Sequence, residues 1–134
     1  MKAMKQAPAS REPKQRKGKY METEITLSFA KIFISKIFLG DDLLIVVKGG
    51  DKPHIGTTVL AVPRPSLTGD GCVSTTSSVL NVSGHKDETM CRILAEKASK
   101  KYGVTAVCTG GFHIDNINTG QIKEVVDAIR NFDI

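Results

Sequence analysis

Asp42-Leu43-Leu44-Ile45-Val46-Val47-Lys48-Gly49-Gly50-Asp51-Lys52-Pro53-His54-Ile55-Gly56 is the stretch on which the fold turns. It contains five consecutive apolar residues, the longest such run in the chain. A run this short, rich in β-branched residues and bounded by Asp-Asp and Gly-Gly, reads as a buried strand. Gly49 to Pro53 ends it, since Pro53 has no N–H to give to a ladder. His54-Ile55-Gly56 then opens a returning strand, Thr57 to Val62. The predicted unit is a strand, a glycine-rich turn carrying Lys52 and His54, and a second strand. Two other places pair glycine with histidine: Gly84-His85-Lys86-Asp87-Glu88 and Gly110-Gly111-Phe112-His113-Ile114-Asp115-Asn116. All three histidines of the chain stand in these loops, and their convergence on one cleft is the central expectation.

Working outward, the upstream sequence alternates. Met21, Ile25, Leu27 and Phe29 fall on one side, with Glu22, Glu24, Thr26 and Ser28 on the other. Ile32 to Leu39 continues the β pattern up to a Gly40-Asp41 hairpin signal. Residues 21–39 are read as one long strand interrupted near Lys31 or Ser35. Downstream, Pro63-Arg64-Pro65 closes the strand that begins at Thr57. The Ser/Thr-dense segment from Cys72 to Val82 has strand rather than helix propensity. A helix is predicted from the His85/Asp87 region to Tyr102, with Cys91, Leu94, Ala95 and Ala98 on one face. Its early acids and late lysines match the helix dipole, and Gly103 supplies the stop. Val104 to Thr109 reads as a buried strand closed by Gly110-Gly111. Asn118 and Gln121 have capping-box spacing and open a last helix with Ile122, Val125, Val126, Ile129 and Phe132 on its apolar face. The predicted order, β-β-β-β-α-β-α, defines an α+β domain: a mainly antiparallel sheet with two helices on one face. Neither G-x-G-x-x-G nor P-loop spacing occurs.

Composition narrows the function. At 134 residues the chain has the length of one domain with a sizeable core. Its net charge of +5 points first toward nucleic acid, but the charge is unevenly placed. Residues 1–19 hold seven basic side chains against Glu12, giving +6, which leaves −1 for residues 20–134. The first segment is therefore read as a disordered basic leader, and residues 20–134 as a single, nearly neutral domain. Met21 marks a second candidate start, just where the β pattern begins. With no Trp and 5% aromatic residues, a base-stacking surface is poorly supplied. Cys72, Cys91 and Cys108 make no C-x-x-C pair, and fit buried thiols of a reducing cytoplasm better than a disulfide framework. No run approaches the ~18 apolar residues of a membrane span.

The loops themselves admit several chemistries. His54 is either a turn histidine bonded to backbone or a donor to a phosphate or flavin oxygen, with Lys52 adding charge and Gly56 admitting close approach. His85 and Lys86 stand at a helix start that favours an anion, where Asp87 and Glu88 simply stabilise the helix end. Alternation puts His113 and Asp115 on the same side, so the carboxylate can orient the imidazole. The three histidines together form a candidate metal site, though a weakly signalled one. A His–Asp couple with Cys72 or a serine would suit a hydrolase, but no G-x-S-x-G elbow accompanies it.

The run from Asp42 to Val47, Gly49-Gly50, Pro53-His54-Ile55-Gly56, His85-Lys86-Asp87 and the Gly111/His113 loop resemble the LpdD-like prenylated-flavin chaperone family, over roughly residues 21–131. The family pattern has Asn and Gln where this chain has Asp115 and Asn116. The resemblance implies a fold similar to proteasome assembly chaperones and a homodimer. It implies a non-enzymatic role as well: binding prenylated FMN, or FMN, supplied by a UbiX-like prenyltransferase, and maturing a UbiD-like aromatic acid decarboxylase. Under it, Lys52, His54 and Gly56 form one wall, His85 and Lys86 take the phosphate, and Gly111, His113 and Asn116 form the opposite wall. The alternatives are a small decarboxylase or hydrolase using His113 with Asp115, and a structural subunit of the decarboxylase.

Overall fold

In a computed structural model that describes residues 20–82 and 86–134, the apolar run becomes the central strand of a six-stranded sheet. The elements are β1 (Tyr20–Thr26), β2 (Lys31–Leu39), β3 (Asp42–Gly50), β4 (Thr57–Pro65), β5 (Val73–Asn81), α1 (Lys86–Tyr102), β6 (Ala106–His113) and α2 (Thr119–Asn131). The strand order is β1-β2-β3-β6-β4-β5. Only β3 and β6 run parallel, and the remaining pairs are antiparallel. Successive side chains of a strand point to opposite faces. Leu43, Ile45 and Val47 are accordingly buried on one face, and Leu44 and Val46 are half-buried on the other.

The buried face carries both helices. Leu43, Ile45 and Val47 join Ile32, Ile34, Val59, Ala61, Ala106 and Cys108 in a single core, which Met90, Cys91, Leu94, Ala95 and Ala98 of α1 and Val125 and Ile129 of α2 complete. Each large side chain buried there contributes about 1.5–3 kcal/mol. Lys36 shares this face but escapes at its rim, where Nζ donates to the Ile134 carbonyl at 2.7 Å. Gly103 ends α1 with φ 66°, and its N–H donates to the Ser99 carbonyl. Asn118 and Gln121 close a reciprocal capping box at the start of α2. The fold class is α+β, as the element pattern predicts.

Three boundaries differ from the sequence reading. Residues 21–39 are two strands, because the chain reverses between Leu27 and Ala30, closed by an Leu27 N–H to Ala30 carbonyl bond of 2.8 Å. The alternation breaks at Lys31, which marks an interruption, but it does not show that the chain turns back on itself there. β4 includes Pro63 and Pro65, which sit beyond Ala61, the last residue paired with β6. There β4 pairs only with β5, and the missing N–H groups cost the ladder little. β6 likewise passes through Gly110-Gly111 to His113 instead of stopping at them. The proposed leader, residues 1–19, lies outside the described residues, and so does His85.

Candidate functional site

Because β3 and β6 are parallel neighbours, the Gly-rich ends of both strands emerge side by side, with Lys48 opposite Gly111 and Gly50 opposite His113. Gly50 takes φ 77°, and a Cβ there would strike the His113 backbone. Asp51 N–H donates to the His113 carbonyl at 2.7 Å, which binds the turn after β3 to the end of β6. Gly56 N–H donates to the Gly110 carbonyl at 2.8 Å and fastens the far end of the same turn. Two of the predicted loops thus meet through backbone bonds.

The imidazoles follow. His54 lies across Gly111, where a Cβ would come within 2.7 Å of its Cε1 and Nε2. The His54 and His113 rings stand edge to face, with centroids 6.4 Å apart. His54 Nδ1 is 3.0 Å from the Lys52 carbonyl, and Nε2 is 3.0 Å from Asp87 Oδ2. His113 Nε2 is 2.9 Å from Asp115 Oδ1, the pairing that alternation predicts. That hydrogen bond and the charge of His113, followed by the charge of Lys52, lower the Asp115 carboxyl below its usual range. Both rings remain reachable, with side-chain exposures of 39% and 43%. Asn116 is exposed and adopts φ 59°, a left-handed geometry that asparagine tolerates, which turns the chain after β6.

Of the predicted site residues, Lys52, His54, Gly56, Gly111, His113 and Asn116 gather at this corner of the sheet. His85 and the Lys86 side chain lie outside the described residues, so the threefold convergence is seen for two histidines. The third loop is nevertheless represented by Asp87. Assigned from sequence to helix stabilisation, it instead turns inward: its residue is 8% exposed, and Oδ1 accepts the Phe112 N–H at 2.9 Å. Gly56 is packed against that carboxylate, which occupies the space a Cβ would need. Lys48 was also missed, and the strand register puts it beside Gly111. No local signal marks either residue, since both depend on how β6 is inserted.

The chemistry available is that of an anion site beside a flat sheet row of one valine and two paired threonines. Lys48, Lys52 and His113 supply cationic or N–H groups at its edge. Next to them the helix-free face of the sheet offers Val46, Thr109 and Thr58, whose register places them in one row. Thr58 and Thr109 hydrogen-bond to each other at 2.9 Å. Cys72 lies beyond the other end of β4 and β5, about 25 Å of strand away, and cannot serve as a nucleophile for His113. Among the described residues no group of three or more His, Cys, Asp or Glu side chains is placed to hold a metal ion.

Fold and corner together define a small α+β domain with an exposed imidazole and lysine cluster at one end of an uncovered sheet. Residues 27–132 match the family model described as the prenylated flavin chaperone LpdD-like domain, and the chain belongs to that family. No curated protein sequence matches the chain. Among solved structures it is similar to a chain of a chaperone complex for yeast 20S proteasome assembly, at 15% identity and a TM-score of 0.48, over 82% of this chain and 84% of that one.

Proposed function

We propose that the chain binds prenylated FMN at the His54/His113 corner and hands it to a UbiD-like aromatic acid decarboxylase, taking it from a UbiX-like prenyltransferase in the cytoplasm. The observation that carries the proposal is the meeting of His54, Gly111 and His113 beside a sheet row of Val46, Thr109 and Thr58, in a chain of the prenylated flavin chaperone family. The residues fit the cofactor's two halves. His113 and Lys52 suit the phosphate or a flavin oxygen, and Val46 and Thr109 suit a flat ring. Partial exposure suits a carrier, because a cofactor held at an open corner leaves without the domain unfolding. His85 and Lys86 complete the phosphate end in this reading.

Two copies pair through the helix-free sheet face. Leu60, Val62 and Leu80 are exposed there, beside half-buried Ile37, Leu44 and Val107. The pairing uses the part of this face away from the corner and leaves its Val46 and Thr109 end open to the cofactor.

Titrating the purified chain with prenylated FMN, followed by addition of the apo-decarboxylase, tests the reading. A flavin spectral shift that reverses as decarboxylase activity appears is expected. His54→Ala and His113→Ala should weaken the shift while far-UV circular dichroism stays unchanged. Absence of any flavin complex would refute the carrier role. A second reading, a small enzyme, is favoured by the 2.9 Å His113–Asp115 contact alone. Turnover of an aromatic acid by the isolated chain would establish it.

A further inference from the structure

We propose that Asp87 is the positioning residue of this corner: its carboxylate locks the His54 ring across Gly111 and leaves the Nδ1 edge of His113 as the imidazole nitrogen open to a ligand. An acid in the first turn of a helix ordinarily faces water, where it serves the dipole. Asp87 is instead buried, and a buried carboxylate is costly unless its oxygens are paired. Both are paired, one with the Phe112 N–H at 2.9 Å and one with His54 Nε2 at 3.0 Å. The side chain therefore joins α1 to the end of β6 and to the turn between β3 and β4. Residue 56 must be glycine to let it pass.

The consequence for His54 follows from donor and acceptor counts. Its Nδ1 faces a carbonyl and its Nε2 faces a carboxylate. Both contacts are hydrogen bonds when each ring nitrogen carries a proton. Neither nitrogen is then left for a ligand. His113 is held through Nε2 only. Among the described residues no partner occupies its other nitrogen. His54 accordingly acts as a wall whose position Asp87 sets, and His113 as the contact.

The test uses the full chain and FMN as probe, and it rests on the flavin reading for its binding arm only. Asp87→Asn is nearly isosteric: its oxygen can still accept from Phe112, while its amide N–H pairs with His54 Nε2 only in the neutral Nδ1–H ring, so the doubly protonated ring loses its charge-assisted partner. The expected result is an unmoved Phe112 amide resonance, displaced His54 and His113 ring resonances, and FMN affinity lowered about tenfold, the scale of a lost charge-assisted hydrogen bond. Gly111→Ala, which presses on His54 from the other side with Asp87 intact, should reproduce the ring shifts and the weaker binding. His54 resonances that ignore Asp87→Asn would overturn the proposal. So would unchanged FMN affinity in variants whose His54 ring has moved. Should the wild-type chain bind no FMN, the flavin reading falls and the resonance shifts alone decide the role of Asp87. Should Asp87→Asn fail to fold, Gly111→Ala decides it: displaced rings with weaker binding sustain the proposal, and unmoved rings overturn it.

Discussion

Gly110 adopts φ 140°, and a Cβ there would run into the Val47 carbonyl of the adjacent strand. Two independent penalties therefore meet at one residue: a backbone conformation that side chains rarely adopt, and backbone atoms that cannot swing aside. Gly110→Ala is expected to destabilise the domain by about 3 kcal/mol or more, measured by chemical denaturation. Gly111 behaves differently. Its nearest neighbours are His54 ring atoms, which can give way, with the His54 carbonyl at 2.9 Å beside them, so alanine there should cost less than at Gly110 and move the site. A stability loss at Gly111 as large as at Gly110 would mean that the His54 turn is as rigid as the adjacent strand. The sequence displayed both glycines as a pair that ends a strand. It could not separate their roles, since these depend on what lies across the sheet.

At the scale of elements, α2 is held by its apolar face, by Lys97 of α1, whose Nζ donates to the Arg130 and Phe132 carbonyls, and by a polar staple to the turn before β2. Glu124 accepts from both the Ser28 N–H and the Ser28 hydroxyl, each at 2.7 Å. The hydroxyl bond, followed by the backbone bond, lowers the Glu124 carboxyl below its usual 4.5. The folded state therefore binds this proton less readily than the unfolded chain. The contribution is fully present above about pH 4.5 and is lost as the pH falls through the lowered folded value. Comparing Glu124→Gln with wild type by urea denaturation should show the wild-type advantage above about pH 5 and its disappearance under stronger acid. A pH-independent difference would mean that Ser28 bonds the amide as well as the carboxylate. The capping box at Asn118 was legible because both partners lie within one turn. The Ser28 staple was not, with its partners 96 positions apart.

At the scale of the whole molecule, the decisive asymmetry is a sheet with both described helices on one face and, among the described residues, none on the other. Leu60 lies on the bare face, with Val107 and Ser78 as its register neighbours on β6 and β5. Under the proposed pairing of two copies, Leu60→Lys places a charge at the centre of the contact. It should convert a dimer to a folded monomer in sedimentation experiments. A wild-type chain that sediments as a monomer removes the pairing. Cys91 and Cys108 also belong to this scale. Burial, followed by contact with Cys91, raises the Cys108 thiol well above its ordinary range. Both thiols are fully buried members of the core, as expected of separated cysteines, whereas Cys72, expected to be buried with them, is exposed in the loop before β5.

The amino-acid sequence by itself determined the α+β class, both helices with the Gly103 stop of α1 and the Asn118 cap of α2, the central strand from Leu43 to Val47, and the turn that holds His54. These features are written in periodicity, caps and turn residues, each readable within a window of a few residues. Tertiary structure alone decided that β6 enters between β3 and β4, that the chain reverses at Leu27–Ala30, and that Asp87 points inward. Strand order is set by the summed burial of apolar faces from segments far apart, and no single residue announces that sum. Asp87 finds His54 across 33 positions and Phe112 across 25 only after the sheet has assembled around them.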